Sequence, residues 1–196
     1  MLVFWEQRLV VLATPKAGST AIATALESLA ALSVQRPAAL KHTPTRDYQR
    51  FVRPYLESAA GGPFTAVALM REPQEWLGSW YRFYQKPDHM DGPRDTRALS
   101  FDAFVQGWCA DAPPPWADFG TQAAFLSVDP GTAGLDRVFR YADIAAFVRF
   151  LEDRLHCEIT LPQVNVSPLA NLTLSEPTAS RMRAKAAADF ALYAGL

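Results

Sequence analysis

The stretch Arg8 to Ala13 (RLVVLA) does most to limit what this chain folds into. It is a short, unbroken apolar run rich in Val and Leu, the pattern of a strand covered on both faces of a parallel sheet. Directly after Thr14-Pro15-Lys16-Ala17-Gly18 the periodicity turns helical, with Ile22, Leu26 and Leu29 at i, i+4 and i+7. RLVVLA therefore reads as the first strand, leading through a short loop into a helix. Ala38 to His42 (AALKH) is a weaker second strand, followed by a helical stripe of Tyr48, Phe51, Val52, Tyr55 and Leu56 that Pro54 should kink or break near Arg53. Gly61-Gly62-Pro63 is a turn, and Phe64 to Met70 (FTAVALM) is the most convincing strand. Arg71 stands at its end, and Pro73 suits the first turn of a helix running to about Gln85.

The polar segment Lys86 to Leu99, with Pro87, Gly92 and Pro93, reads as a surface loop, mobile over a site. Short helices are expected at Ser100 to Cys109 and at about Phe119 to Ser127, separated by Pro113-Pro114-Pro115. Gly134 to Tyr141 reads as a late strand. Asp143 then caps a helix striped by Ile144, Phe147, Val148, Leu151 and Leu155, and one C-terminal helix from near Ser175 lays down Met182, Ala186, Phe190 and Tyr193. Strands alternating with helices predict a three-layer α/β/α sandwich around a mostly parallel central sheet.

With 196 residues the chain is expected to be one domain. Hydrophobic residues at 49% and charged residues at 20% exclude a disordered chain. A net charge of −1 lacks the basic excess of a general nucleic-acid binder, so any anion site is local. Cys109 and Cys157 are too few for a metal knuckle or disulfide framework and are expected to be reduced and buried. The longest early apolar run, Leu9 to Ala13, is too short for a signal segment or membrane span, which predicts a soluble, uncleaved, cytoplasmic protein with no membrane partner. The sequons Asn165-Val166-Ser167 and Asn171-Leu172-Thr173 then read as chance matches.

Thr14 to Ala21 (TPKAGSTA) lies where backbone N–H groups and the positive end of a helix converge on an anion. Gly18 allows close backbone approach, Ser19 and Thr20 offer hydroxyls, and Lys16 brings a mobile cation. The bland alternative is a strand-to-helix turn with ordinary capping. The phosphate loop of ATP- and GTP-hydrolysing proteins puts lysine after a second glycine, whereas here Lys16 precedes Gly18. Those sites also want an Asp at a neighbouring strand end for Mg²⁺, and FTAVALM delivers Arg71 instead. An arginine there suggests a second anionic group bound without a metal, reached also by Ser79 eight residues on. The competing possibility is that Arg71 pairs with Glu72 or Glu75 while Ser79 faces solvent.

Together these two motifs resemble the sulfotransferases that use 3′-phosphoadenosine-5′-phosphosulfate (PAPS) and release adenosine 3′,5′-bisphosphate (PAP). Pro15 to Thr20 looks like that family's Pro-Lys-x-Gly-(Ser/Thr)-Thr loop, which holds the 5′-phosphosulfate; Arg71, Pro73 and Ser79 match its 3′-phosphate motif. Arg140-Tyr141-Ala142-Asp143 is similar to its Tyr-Glu-Asp segment, whose tyrosine lies near the adenine, and Asp189 to Tyr193 looks like the tail of the carbohydrate enzymes. The resemblance implies a P-loop NTPase-like fold, cofactor contacts from Lys16, Ala17, Gly18, Ser19, Thr20, Ala21, Arg71, Ser79 and Tyr141, and no metal. A late Arg-Lys-Gly element of the cytosolic enzymes has no counterpart, leaving Arg137, Arg140 or Arg181 to complete the pocket.

By the same resemblance Lys16 neutralises the leaving phosphate, and Lys41-His42 looks like the segment that carries a catalytic histidine. His42 is the preferred base because a strand ending there would finish beside the loop, where open α/β sheets place ligands. His89 reads as a solvated loop residue and His156 as a helix-end cation, while Glu57, Glu72 and Glu75 are the carboxylate alternatives. Trp76, Trp80, Tyr81, Phe83 and Tyr84 fall at helical spacing and read mostly as core, with an acceptor wall as the alternative. Arg46, Arg82 and Arg94 are candidates to meet an anionic acceptor, carbohydrate or small molecule. The rival functions are a small Mg-ATP-dependent nucleotide or sugar kinase and a catalytically inactive nucleotide-binding interaction module.

Overall fold

The computed structural model describes residues 1–89, 92–129, 132–163 and 170–196. The chain opens on β1 (Leu2–Phe4), and a tight turn with Arg8 at φ 51° returns it antiparallel as β2 (Leu9–Val11), Leu2 opposite Val11 and Phe4 opposite Leu9. RLVVLA is thus the second strand. The first escapes a periodicity reading because three residues, all buried, carry no alternation.

α1 (Ser19–Leu26) follows, and its inward residues are Ile22, Ala23 and Leu26. Leu29 leaves the expected stripe because the last turn tightens to a 3₁₀ turn, Glu27–Leu29, and turns it to solvent. β3 (Leu32–Ser33) then pairs antiparallel with β1.

The expected strand at Ala38 to His42 is a short helix, α2 (Ala38–Lys41), with His42 just past its end. Pro37 fixes φ at −64° ahead of three good helix formers, and Leu40 is 56% exposed, so no core pulls the segment into the sheet. α3 (Thr45–Asp47), a π-helical turn (Tyr48–Val52) and α4 (Arg53–Ala60) run on as one helical stretch. Pro54 sits in the first turn of α4, and the expected break takes the form of the π turn before it. Tyr48 and Leu56 point inward, whereas Phe51 and Tyr55 are 63% and 72% exposed.

β4 (Thr65–Met70) leads into α5 (Pro73–Tyr84) as expected. The loop after it is not free: the Tyr81 hydroxyl donates to the Leu99 carbonyl, 2.7 Å, and Thr96 is buried with its hydroxyl donating to the Tyr81 carbonyl. α6 (Phe101–Cys109) is capped by Ser100, and α7 (Gln122–Leu126) by Thr121. β5 (Ser127–Asp129) and β6 (Thr132–Ala133) form a separate ribbon before β7 (Arg137–Arg140). Asp143 caps α8 (Ile144–Leu155), its carboxylate accepting from Ala146 N. The C-terminal helix is two, α9 (Glu176–Lys185) and α10 (Ala187–Ala194), divided at Ala186.

The five strands run in the order β3-β1-β2-β4-β7. β2 with β4 and β4 with β7 are parallel, β1 with β2 and β1 with β3 antiparallel, so the sheet is mixed rather than mostly parallel. β1 supplies the antiparallel half, paired with β2 on one side and β3 on the other. Strand alternation divides the core: Val3, Val10, Leu12, Ala66, Ala68 and Met70 meet Tyr48, Leu56, Phe125 and Leu126 on one face. Phe4, Leu9, Val11, Val67, Leu69 and Phe139 meet α1 and α8 on the other, so helices cover both faces. A third apolar cluster joins α5 to α6 and α9 through Trp76, Tyr81, Phe104, Trp108 and Met182. Among the described residues no helix is long and apolar enough to cross a membrane. Cys109 and Cys157 are free thiols, each half-buried rather than buried.

Candidate functional site

Three adjacent parallel strands, β2, β4 and β7, release their carboxyl ends at one edge of the sheet, the place where α/β folds gather ligands. β2 runs out through Leu12 to Thr14 and the α1 loop, β4 delivers Arg71, and β7 delivers Tyr141.

Two residues of the loop, Lys16 at φ 62° and Gly18 at φ 79°, are left-handed. Gly18 opens α1 with no side-chain cap on its first turn, which leaves that turn's N–H groups for another acceptor. A Cβ at Gly18 would stand 2.7 Å from Cε2 of Tyr141, so the glycine is demanded by space as well as by dihedral. The guanidinium of Arg71 lies over the same Tyr141 ring, 4.1 Å from its centroid. One ring thereby meets both the loop and the strand-end arginine. Ala17 is buried in the core beneath the loop, while Ser19 is half-buried and Thr20 exposed at the start of α1. Ala21 follows them in the helix, half-buried.

Arg71 is fixed from behind. Gln122 accepts from its backbone N–H at 2.9 Å and donates to its carbonyl at 2.8 Å, and Asp189 accepts from the N–H groups of Gln122 and Ala123. The Nε of Arg71 is buried without a partner, and among the described residues no carboxylate pairs with the side chain. Glu72 instead caps α5 through Glu75 N, and Glu75 meets Arg82. Ser79 lies half-buried one turn beyond Glu75, on the face that also carries Arg82. Arg71 does not pair as the bland alternative supposed.

Lys16 rests on α5. Its Nζ lies 2.9 Å from the Phe83 centroid and 4.5 Å from that of Trp80, and the Trp76 indole donates to the Pro15 carbonyl at 2.9 Å, pinning loop to helix. Burial, with Lys86, Arg71 and Lys41 nearby, lowers the Lys16 pKa to about 7. The aromatic group thus divides: Trp76, Tyr81 and Tyr84 are core, and Trp80 and Phe83 form a half-buried wall stacked toward Phe119 and His89. His89, read from sequence as solvated, packs on Phe83 at 4.6 Å; no periodicity marks such a contact.

His42 misses the predicted strand yet reaches the loop. Its Nδ1 lies 2.6 Å from the Ala13 carbonyl, and because a carbonyl only accepts, Nδ1 carries the proton and Nε2 is the free acceptor of the neutral ring. Burial holds the His42 pKa below its ordinary value, against the opposing pull of the Ala13 bond, and Lys41, the N-terminal ammonium and Lys16 add to the lowering. Lys41 beside it donates to Thr20 Oγ1 at 3.4 Å. The carboxylate alternatives lie otherwise: Glu57 accepts from Arg53 and from Phe64 N.

The three arginines proposed to replace the missing late element are placed elsewhere. Arg137 stacks on Phe139, Arg140 donates to the Tyr193 carbonyl, and Arg181 lies beside Cys109 and Lys185. Arg46 pairs with its neighbour Asp47, and His156 takes a left-handed C-cap on α8. Asn171 accepts from Thr173 N in a local turn, and the sequon Asn165 to Ser167 lies outside the described residues. Among the described residues no group of His, Cys, Asp and Glu is placed to hold a metal ion. Comparison of the chain with protein-family profiles, curated proteins and solved structures gave no match, so the functional reading rests on the site itself.

Proposed function

We propose that the protein transfers a sulfuryl group from PAPS to a hydroxyl or amine of a small-molecule or carbohydrate acceptor, on a P-loop-like arrangement of loop and sheet. The observation that carries this reading is the contact of one ring, Tyr141, with both Gly18 and Arg71. It sets two anion-binding elements, remote in sequence, against one aromatic face, as a nucleoside with phosphates at both ends of its ribose requires. The donor set fits such a ligand: an uncapped helix start, a lysine on the loop, and a half-buried arginine whose buried Nε has no partner.

The loop amides from Gly18 to Ala21 with Lys16 hold the 5′ end, Arg71 and Ser79 hold the 3′-phosphate, and Tyr141 lies beside the adenine. When bound, PAPS supplies an activated sulfuryl group on a phosphate leaving group. Lys16 leaves its aromatic rest and neutralises charge on the phosphate oxygens; one such contact is worth about 3 kcal/mol of barrier. His42, oriented by Ala13, takes the proton of the acceptor on Nε2.

Titration of the protein with PAP, ADP and ATP, with and without Mg²⁺, tests this. Metal-independent, micromolar binding of PAP is expected; a preference for Mg-ATP overturns the reading in favour of a kinase. Arg71→Ala is expected to weaken PAP far more than 5′-AMP, and equal losses remove Arg71 from the 3′-phosphate.

A further inference from the structure

We propose that Arg82 is the missing third cation of this site: it joins Arg71 and Ser79 around the 3′-phosphate, and Glu75 competes with that phosphate for it. The inference rests on the PAPS reading above.

Arg82 stands nine residues into α5 from Pro73, about 14 Å along the axis from the helix start, too far for its backbone to matter to Arg71. Its side chain runs back. Nη2 lies 3.6 Å from Glu75 Oε2, and Nη1 lies 3.4 Å from where a Cβ on Gly78 would be. The guanidinium therefore folds back over the turn between Glu75 and Gly78, toward the end of α5 that follows Arg71. Glu75, Ser79 and Arg82 share one stripe of the helix at i, i+4 and i+7.

The charge there does not balance. Arg71 and Arg82 are both half-buried, the Arg82 side chain only 15% exposed, and the one carboxylate at hand, 57% exposed and at long range, meets Arg82 alone. The nearby Arg82 charge adds to the lowering of the Arg71 pKa that burial begins. Gln122 holds the Arg71 main chain on both sides, which fixes the point from which its side chain extends. Two guanidinium groups near enough for one charge to act on the other, with a single weak counter-charge at Glu75, suit a tetrahedral dianion that accepts from both. Arg137 and Arg140 are engaged elsewhere and Arg181 lies on the surface with Cys109 and Lys185, which leaves Arg82 as the cation at hand.

Calorimetric titration of the full chain with PAP and with 5′-AMP tests the assignment. Wild type is expected to bind PAP well over tenfold more tightly than 5′-AMP. Arg82→Gln should weaken PAP at least tenfold and leave 5′-AMP within twofold. Glu75→Gln should tighten PAP severalfold by releasing Arg82, again without moving 5′-AMP. If PAP is preferred by wild type and Arg82→Gln leaves that preference within twofold, Arg82 has no such role while the PAPS reading stands. Should Arg82→Gln fail to fold, a Glu75→Gln variant that does not tighten PAP overturns the proposal equally. A wild type that binds PAP and 5′-AMP alike sinks the PAPS reading itself.

Discussion

Lys16 is where the free protein and the proposed complex differ most in chemistry. Held over Phe83 with three cations near, its pKa is lowered to about 7, so at that pH its ammonium is partly deprotonated. A bound polyphosphate restores the charge, and binding then takes up a proton wherever the pH lies above the free value. PAP affinity is therefore expected to fall as pH rises from about 7 to 9, and Lys16→Met should flatten that fall when proton uptake is measured by calorimetry in buffers of different ionisation enthalpy. Equal uptake in both proteins would put the titrating group elsewhere. His42 makes the complementary case. Its lowered pKa keeps it neutral at neutral pH, so His42→Ala should leave PAP binding nearly intact while turnover collapses; retained turnover would move the base to His89 or a carboxylate. At this scale Lys16, Gly18 and Arg71 were legible because loop chemistry is local. His89 and Arg82 were not, since their positions depend on side chains folding back over α5.

Elements were legible where a core reads both sides of them. Phe64 to Met70 and the helices after Pro73 and Asp143 stand within a residue or two of expectation, each with apolar residues locked into a buried face. The failures lie where burial is absent or the run is short: Ala38 to Lys41 is an exposed helical turn, and Leu2 to Phe4 is a strand too brief to show a period. The antiparallel half of the sheet follows from that unread strand, which pairs with β2 on one side and the two-residue β3 on the other. The C-terminal Asp189-Phe190-Ala191-Leu192-Tyr193 segment gains a physical reason here. Asp189 is buried and caps α7 by accepting from Gln122 and Ala123, and Gln122 clasps Arg71. Asp189→Ala should cost about 2–3 kcal/mol of stability, as buried donors lose a charged acceptor, measured by denaturant unfolding. PAP affinity should drop with it through Arg71, even where the variant is fully folded in the absence of denaturant. A stable variant with full PAP affinity would show that α7 does not position Arg71.

At the scale of the molecule, the site belongs to no single stretch of chain. The sheet order β3-β1-β2-β4-β7 sets β2, β4 and β7 side by side, so residues near 16, 71 and 141 meet although scores of positions separate them. A spacing argument sees each motif and not their contact, which only parallel pairing creates. The consequence is a binding signature. One ligand that grips all three strand ends should slow backbone hydrogen exchange together in residues 14–21, in the first turns of α5 after Arg71, and around Tyr141, because local opening of any one segment then costs binding energy. The remote surface of α4 near Phe51 and Tyr55 should exchange unchanged. Protection by PAP at the loop alone, with the Arg71 and Tyr141 segments exchanging as before, would mean that the ligand's second phosphate goes unheld and that the three ends act separately. Equal protection by 5′-AMP in all three segments would also remove the 3′-phosphate from the site, since that phosphate would then add nothing that the adenosine did not already bring.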